Sequence, residues 1–188
     1  FELAHVWEND NETNTWTMTD RLQASVPPEI LFVERCTQLL VPGGRMSIVL
    51  PANILGAPGL GYIREWLIKN TRIVASVDLH VDTFQPRNGT QTSVLFLQKK
   101  TKEQKDTEEK SGTMADYNIF MAMVAKVGND KRGNHTFKRD QEGNEILVPD
   151  TNSVLVLCTT GEVDRTVSHE QKRKVEDDQT PDVPAIFA

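Results

Sequence analysis

The chain has 188 residues, of which 38% are hydrophobic, and a formal net charge of −6 at pH 7. This length fits one domain with appendages, and a chain this acidic has no overall attraction for nucleic acid or anionic lipid, so any DNA contact must be local. No apolar run approaches the roughly 18 residues that span a bilayer, and no secretion signal is present, so we expect a cytoplasmic protein without membrane contact.

The first 50 residues predict a loop, a helix and a strand. Residues 1–27 are polar and show no sustained period, which predicts a long lead-in loop with at most one short helical turn. Pro28 suits the first turn of a helix that places Ile30 on an apolar face and Glu34 on a polar one. The apolar run RMSIVLP, residues 45–51, is typical of a short strand buried on both faces.

The glycine-rich segment GAPGLG, residues 56–61, follows this strand and leads into a second predicted helix, residues 60–70. Leu60, Ile63, Trp66 and Leu67 fall on one apolar stripe of this helix. A dinucleotide-binding fingerprint needs G-x-G-x-x-G directly after a strand and an acidic residue about 20 positions later. The order here is G-x-x-G-x-G, and Asp78 lies 17 residues beyond Gly61. The spacing therefore favours glycines that shape a turn over glycines that hold a phosphate.

Two further apolar runs, residues 72–79 and 92–100, predict strands joined by about a dozen residues. That connection is too short for a usual parallel crossover, so we expect the later strand to run antiparallel to its neighbour. Alternating helices and strands predict an α/β fold with a largely parallel sheet. The charged residues 101–116 predict a solvated connection, which is followed by another apolar run at 117–127.

The remaining sequence predicts a boundary near residue 150. The segment SVLVLC, residues 153–158, is a candidate strand, and the residues after it read as a polar extension that leaves the domain. We therefore expect a lead-in loop over 1–27, an α/β unit over 28–150 and an extension over 151–188. We identify no internal repeat.

Isolated catalytic or metal-binding motifs are weak in this sequence. No histidine pairs at ligand spacing with another histidine or with a cysteine, so we predict no metal site. No serine lies in a G-x-S-x-G elbow, and neither cysteine has a base nearby in sequence. Asp78 and Asp82 flank a predicted strand end, where α/β enzymes place functional groups, and are candidates without an assigned role.

The segment KVGNDKRGNHTFKR, residues 126–139, is locally basic although the chain is acidic. Asp130 is its one acidic residue, and its cations are Lys126, Lys131, Arg132, Lys138 and Arg139. Such a cluster between glycine turns could contact a phosphate backbone. The alternative is a solvated loop that balances acidic neighbours.

Three segments in order resemble one family. PPEILFVERCTQLLVPGGRMSIVLPANILG, YIREWLIKNTRIVASVDLHVDTFQPRNGTQTSVLFLQKK and FMAMVAKVGNDKRGN are similar to the adenine-specific DNA methyltransferases that serve as modification subunits of type I restriction-modification systems. The resemblance implies the second half of a class I, Rossmann-like S-adenosylmethionine-dependent methyltransferase sheet, with an antiparallel last strand. It also implies a parent protein that methylates adenine N6 in DNA together with specificity and restriction subunits.

The resemblance also identifies what the chain lacks. That family holds S-adenosylmethionine on a Phe-x-Gly-x-Gly loop and the target adenine on an Asn-Pro-Pro-aromatic loop, and neither motif occurs in the 188 residues. The chain would be the C-terminal half of the catalytic domain plus part of an extension toward the other subunits, and we expect it to be inactive alone. The alternative is a non-catalytic, methyltransferase-like module that binds a partner.

Three site residues follow from the resemblance. Phe84 occupies the place where the family carries an aromatic or apolar residue that packs on the extruded base, and the alternative is a core residue that closes the loop. Pro51 and Asn53, just past the strand at 45–51, are expected to form a wall of the cleft at the carboxyl rim of the sheet. His80 departs from the family, which usually has proline there.

Overall fold

The computed structural model describes residues 1–13, 15–157 and 163–183. A 3-10 turn, Glu2–Ala4, precedes an antiparallel hairpin of strands β1 (His5–Asp10) and β2 (Thr15–Leu22). The expected lead-in loop is therefore wrong, apart from its short helical turn. The hairpin escapes a period-2 search because most of its side chains are exposed and only a few positions pack inward.

Helix α1 (Pro28–Leu39) begins at the predicted proline and fastens the start of the chain. Glu34 is only 2% exposed, so its placement on a polar face was wrong. Its two carboxylate oxygens accept the backbone N–H groups of Glu2 at 2.9 Å and Leu3 at 2.8 Å. A buried carboxylate needs such donors, and these come from residues more than 30 positions away in sequence.

A four-stranded mixed sheet forms the centre of the fold. Its strands are β3 (Arg45–Pro51), β4 (Thr71–Asp78), β5 (Thr92–Lys99) and β6 (Phe120–Met123), in the order β3-β5-β4-β6. Strand β5 is antiparallel to both of its neighbours, and β6 is parallel to β4. The α/β class and the antiparallel direction of β5 are confirmed.

Two helices lie between β3 and β4 and cover one face of the sheet together with α1. They are α2 (Ala52–Gly56), which the sequence did not predict, and α3 (Gly61–Asn70). The predicted apolar stripe of α3 is confirmed, because Ile63, Trp66 and Leu67 are buried in the main core. The other face is only partly covered, and Val49 of β3 is 49% exposed. The prediction that this strand is buried on both faces is wrong.

The charged segment after β5 forms helix α4 (Lys102–Ser111), with no buried residue. Thr101 and Gln104 make a capping box at its start, and Gly112 ends it with a φ of 65°. The segment is solvated as expected, but the expected connection is a helix. Its T-x-x-Q pattern is the signal that could have predicted this.

The last third of the chain forms a long hairpin and a return. Strands β7 (Leu147–Leu157) and β8 (Val163–Lys174) pair antiparallel, so the expected boundary at 150 falls inside β7. After β8 the chain returns, and bridges join Glu176 to Phe137 and Asp178 to Val127. The expected departure of the tail from the domain is therefore wrong for residues 175–183. Cys158, the last residue of the candidate strand at 153–158, lies outside the described residues.

The glycines of GAPGLG do not share one role. A Cβ on Gly56 or Gly59 would meet nothing within 4 Å, whereas a Cβ on Gly61 would lie 2.5 Å from Nε1 of Trp16. The Trp16 ring also packs on Tyr62 of α3, with the ring centroids 5.8 Å apart. Gly61 therefore permits the hairpin to approach the start of α3, and the indole occupies the space above it.

We predict that Gly61→Ala lowers the free energy of unfolding by about 1 to 3 kcal/mol, because the added methyl forces the Trp16 ring and its hairpin away from α3. Gly59→Ala is the matched control, because a Cβ on Gly59 meets nothing within 4 Å. It should change the free energy of unfolding by less than about 1 kcal/mol. Urea unfolding followed by tryptophan fluorescence measures both. Equal stability of the two variants would contradict the close-approach role of Gly61.

Candidate functional site

The carboxyl ends of β3, β4 and β6 meet at one edge of the sheet. Because β5 runs opposite to its neighbours, its first residues lie beside their last ones: Thr92 pairs with Pro51, and Ser93 pairs with Asp78. In open α/β sheets ligands bind outside the carboxyl ends of the strands. This edge is therefore the candidate site, and the loop formed by residues 80–91 borders it.

Asp78 is held in place at this edge. Its carboxylate accepts hydrogen bonds from Oγ of Ser93 at 3.0 Å and from Nε2 of Gln91 at 2.9 Å. Next to it, Met121 and Met123 of β6 are exposed and line a shallow hollow. Asp78 therefore helps to order the strand ends, and it lies between the polar side chains of Gln91 and Ser93 and the exposed methionines of β6.

Asp82, the second candidate carboxylate, lies in the loop beyond β4. Its backbone N–H donates to Nδ1 of His80 at 3.2 Å, and its carboxylate lies 3.7 Å from the same nitrogen. Its carbonyl oxygen accepts a hydrogen bond from the Asn129 side chain at 2.9 Å. The residue thus connects the loop at 80–91 to a later segment of the chain.

Phe84 lies in the middle of the loop at 80–91, which is built from successive hydrogen-bonded turns. Its side chain is 43% exposed and belongs to neither core cluster. The alternative that it is a core residue is therefore wrong. An aromatic side chain this exposed, beside the carboxyl edge, is available for stacking on a planar ligand, and that role stays a prediction.

The two predicted wall residues follow β3 directly at the same edge. Pro51 is the last residue of β3 and is half-buried, and Asn53 is exposed in the first turn of α2. The N–H of Ala52, between them, donates to the carbonyl of Gln91 at 3.0 Å. The start of α2 is thereby joined to the end of the loop that carries Phe84.

A repeat begins in the basic segment and continues just beyond it, so the expectation of no internal repeat was wrong. Asp-x-x-Gly-Asn occurs twice, starting at Asp130 and at Asp140, and both copies form the same turn. In each turn the first carboxylate accepts the backbone N–H groups two and four residues later, and the glycine has a positive φ. The ten-residue spacing of these two patterns is the signal that could have revealed the repeat.

The structure does not bring all the basic residues of this segment together. Lys126 pairs with Asp177 at 2.6 Å, and Arg139 lies 4.0 Å from Glu145 in the second turn. Lys131 and Arg132 are exposed at the tip of the first turn, and Lys138 is half-buried between the turns. Within the described part of the chain, these three form no ion pair.

Two other features bear on the chemistry of the described residues. No three His, Cys, Asp or Glu side chains among them lie close enough together to hold a metal ion. None of the helices in the same ranges combines the length and the apolar character that a membrane span needs.

Comparison with known proteins identifies a family and several structural neighbours. A sequence model of the N-6 DNA methylase family matches residues 1–138. A protein of Listeria monocytogenes, assigned to the class I S-adenosylmethionine-dependent methyltransferases, is 17% identical with a TM-score of 0.42, and the match covers 56% of this chain and 30% of that one. A chain from a type I restriction-modification system is 22% identical with a TM-score of 0.34, and the match covers 50% of this chain and 19% of that one. No protein with a curated description matches.

The two Asp-x-x-Gly-Asn turns should weaken in acid. The side-chain amide of Asn134 is the largest cause that holds the pKa of Asp130 below its ordinary value of 3.8, followed by the backbone N–H groups of Asn134 and Arg132. A pKa lowered by folding gives stability that is present above the unfolded value and is lost as the pH falls through the folded value. We expect the amide signals of Arg132 and Asn134 in NMR spectra to titrate with a midpoint below 3.8.

In the control variant Asp130→Asn, that transition should disappear from the first turn. The second turn should keep its own transition, because hydrogen bonds led by the backbone N–H of Asn144 lower the pKa of Asp140 as well. A midpoint at or above the ordinary value for Asp130 would contradict the hydrogen-bonded turn.

Phe84→Ala should lower the free energy of unfolding by about 1 kcal/mol or less, because the ring is exposed and outside the core. Leu97→Ala, at a buried position of β5, should lower it by about 2 to 5 kcal/mol. Urea denaturation of both variants makes the comparison. If Phe84→Ala lowered the free energy of unfolding as much as Leu97→Ala does, Phe84 would have to be a core residue.

Proposed function

The chain belongs to the N-6 DNA methylase family, and we propose that it is the C-terminal half of the catalytic domain of a type I modification subunit. The whole protein would transfer a methyl group from S-adenosylmethionine to N6 of adenine in DNA. The observation that carries the proposal is the family match over residues 1–138, which spans the entire four-stranded sheet and the loop with Phe84.

The geometry of the carboxyl edge supports a role in holding the target base. An adenine inside a duplex cannot present its amino group to a methyl donor, so the base must leave the stack. The exposed ring of Phe84 offers a stacking surface for the extruded base, which is worth about 1 to 3 kcal/mol. Pro51 and Asn53, at the end of β3, would form a wall of the same cleft, and rate enhancement would come mainly from positioning.

The residues present do not fit the cofactor on their own. S-adenosylmethionine supplies an activated methyl group when it is bound. In the glycine-rich segment at 56–61, however, the Trp16 indole fills the space above Gly61, so this segment is not an open cradle. Neither the Phe-x-Gly-x-Gly segment nor the Asn-Pro-Pro-aromatic segment is among the 188 residues. We therefore propose that the chain alone does not methylate DNA.

We propose DNA and the specificity and restriction subunits as partners. The sequence that is methylated would be chosen by the separate specificity subunit, because phosphate contacts position a protein on DNA while contacts to base edges select the sequence. Lys131, Arg132, Lys138 and Arg139 are the proposed phosphate contacts of this chain. The place of action would be the compartment that holds the DNA, which is the cytoplasm expected from the sequence.

A second candidate is a non-catalytic module that binds a partner protein. The observation that favours it is the exposed apolar surface on the less covered face of the sheet, where Val49 and Phe96 are accessible to solvent. Phe32 and Leu39 on α1 are also exposed. Apolar patches of this kind often mark protein interfaces.

The proposal predicts that the isolated chain, incubated with DNA and methyl-labelled S-adenosylmethionine, produces no N6-methyladenine, because the acceptors of the adenine amino group are missing. Mass spectrometry of the digested DNA measures the product. The positive control is the same reading frame extended upstream of Phe1, which should encode Asn-Pro-Pro-aromatic and restore methylation when the specificity subunit is added. Methylation by the chain alone, or a start codon directly before Phe1, would contradict the proposal in favour of the second candidate.

A further inference from the structure

The first Asp-x-x-Gly-Asn turn is docked on the loop that carries Phe84. Nδ2 of Asn129 donates a hydrogen bond to the carbonyl oxygen of Asp82 at 2.9 Å. A Cβ on Gly133 would lie only 2.9 Å from Cδ of Pro86, two residues after Phe84. One hydrogen bond and one close backbone approach thus hold the two segments together.

The second turn has the same backbone but no such contact. Gly143 has a φ of 90°, close to the 82° of Gly133, and a Cβ on it would meet nothing within 4 Å. The docking is therefore a property of the first copy and not of the turn itself.

Docking brings unpaired cations to the loop that carries Phe84. Lys131 and Arg132 are exposed at the tip of the first turn, and Arg87 is exposed in the Phe84 loop itself. None of the three forms an ion pair within the described ranges. Of the neighbouring acids, the Asp130 carboxylate accepts hydrogen bonds from its own turn, and the Asp82 carboxylate lies 3.7 Å from Nδ1 of His80.

The second turn shows the opposite arrangement. Glu145 lies 2.6 Å from Nζ of Lys174 and 4.0 Å from the guanidinium of Arg139. The cations that flank the second turn are therefore matched by a carboxylate, and a phosphate would bind less favourably there. The cations that are free to bind an anionic ligand are therefore those of the first turn and of the loop at 80–91 on which it is docked.

Building on the proposed function, we propose that Arg87, Lys131 and Arg132 bind the DNA phosphates that flank the extruded adenine, and that Asn129 and Gly133 are positioning residues for this rim. Arg and Lys are the residues that recognise phosphate most strongly. A nucleotide that leaves the stack carries its adjacent phosphates with it, so cations on the loop of the stacking ring and on the turn docked to it can fix the strand where the base must enter. Of the four phosphate contacts proposed above, this assignment keeps Lys131 and Arg132 and adds Arg87. It leaves out Lys138, which is half-buried, and Arg139, which faces Glu145.

The salt dependence of DNA binding tests the rim. The full chain is titrated into a fluorescein-labelled single-stranded oligodeoxynucleotide, and the association constant is measured by anisotropy at several NaCl concentrations. Each phosphate contact on single-stranded DNA contributes about 0.7 to the slope of log K against log salt. Lys131→Gln with Arg132→Gln should therefore reduce the slope by about 1.4, and Arg87→Gln should reduce it by about 0.7 more.

The matched control is Lys102→Gln with Lys110→Gln. These two lysines are exposed on α4, which follows β5 at the opposite edge of the sheet, and the pair changes the net charge by the same amount. The control should keep the slope of the unmodified chain. Equal slopes for the two double variants, or no measurable DNA binding by the unmodified chain, would overturn the proposal.

The positioning role is tested with Gly133→Ala against Gly143→Ala. Both substitutions place a side chain at a positive φ, so they share the backbone strain, but only the first meets Pro86. Gly133→Ala should weaken DNA binding several-fold more than Gly143→Ala, at equal helix and strand content by circular dichroism. Asn129→Ala, which removes the hydrogen bond without the strain, should weaken binding in the same direction. Equal binding by the two glycine variants would contradict the docking.

These outcomes are separate from those of the methylation experiment. If the extended protein methylates DNA and the rim variants bind like their controls, this inference fails and the proposed function stands. If the rim variants lose binding while the extended protein never methylates DNA, the proposed function fails and the phosphate site stands.

Discussion

The double pairing of β5 is the constraint on which the candidate site depends. Because this strand is antiparallel to β3 on one side and to β4 on the other, β3 and β4 must point in the same direction and end at one edge. The loop that enters β5 must start and finish at that edge. Phe84, Pro51 and Asp78 come from three separate segments, and this pairing alone brings them to one rim.

The N-terminal hairpin determines what lies above the end of the glycine-rich segment. Glu34 fixes the first residues of the chain through two buried hydrogen bonds, and Trp7 and Trp16 of the hairpin pack on Tyr62. Trp16 is seated on Gly61 and fills the space directly above that residue.

Local signals in the sequence predicted much of the fold and part of the site. The start of α1 at Pro28, the buried stripe of α3 and the direction of β5 follow from a first-turn proline, a helical period and a short connection, all of which lie within a few residues. The hairpin at 5–22 was missed because few of its side chains face the core, and α4 was missed because its charge pattern outweighed its capping box. At the site, the resemblance indicated Phe84, but whether its ring was buried or exposed required the surrounding loop.

The sequence by itself therefore determined the order and type of most central elements, the antiparallel direction of β5 and the family, since these depend on neighbouring residues and on ordered segments. Only the tertiary structure decided that Glu34 is buried, that Gly61 receives the Trp16 ring, and that Gly133 approaches Pro86. Each of these depends on two residues between 31 and 47 positions apart, and no local pattern encodes which distant group will complete a hydrogen bond or fill a space. The basic segment shows the same limit: its composition predicts positive charge, and the fold determines which cations are neutralised and which are brought to the loop that carries Phe84.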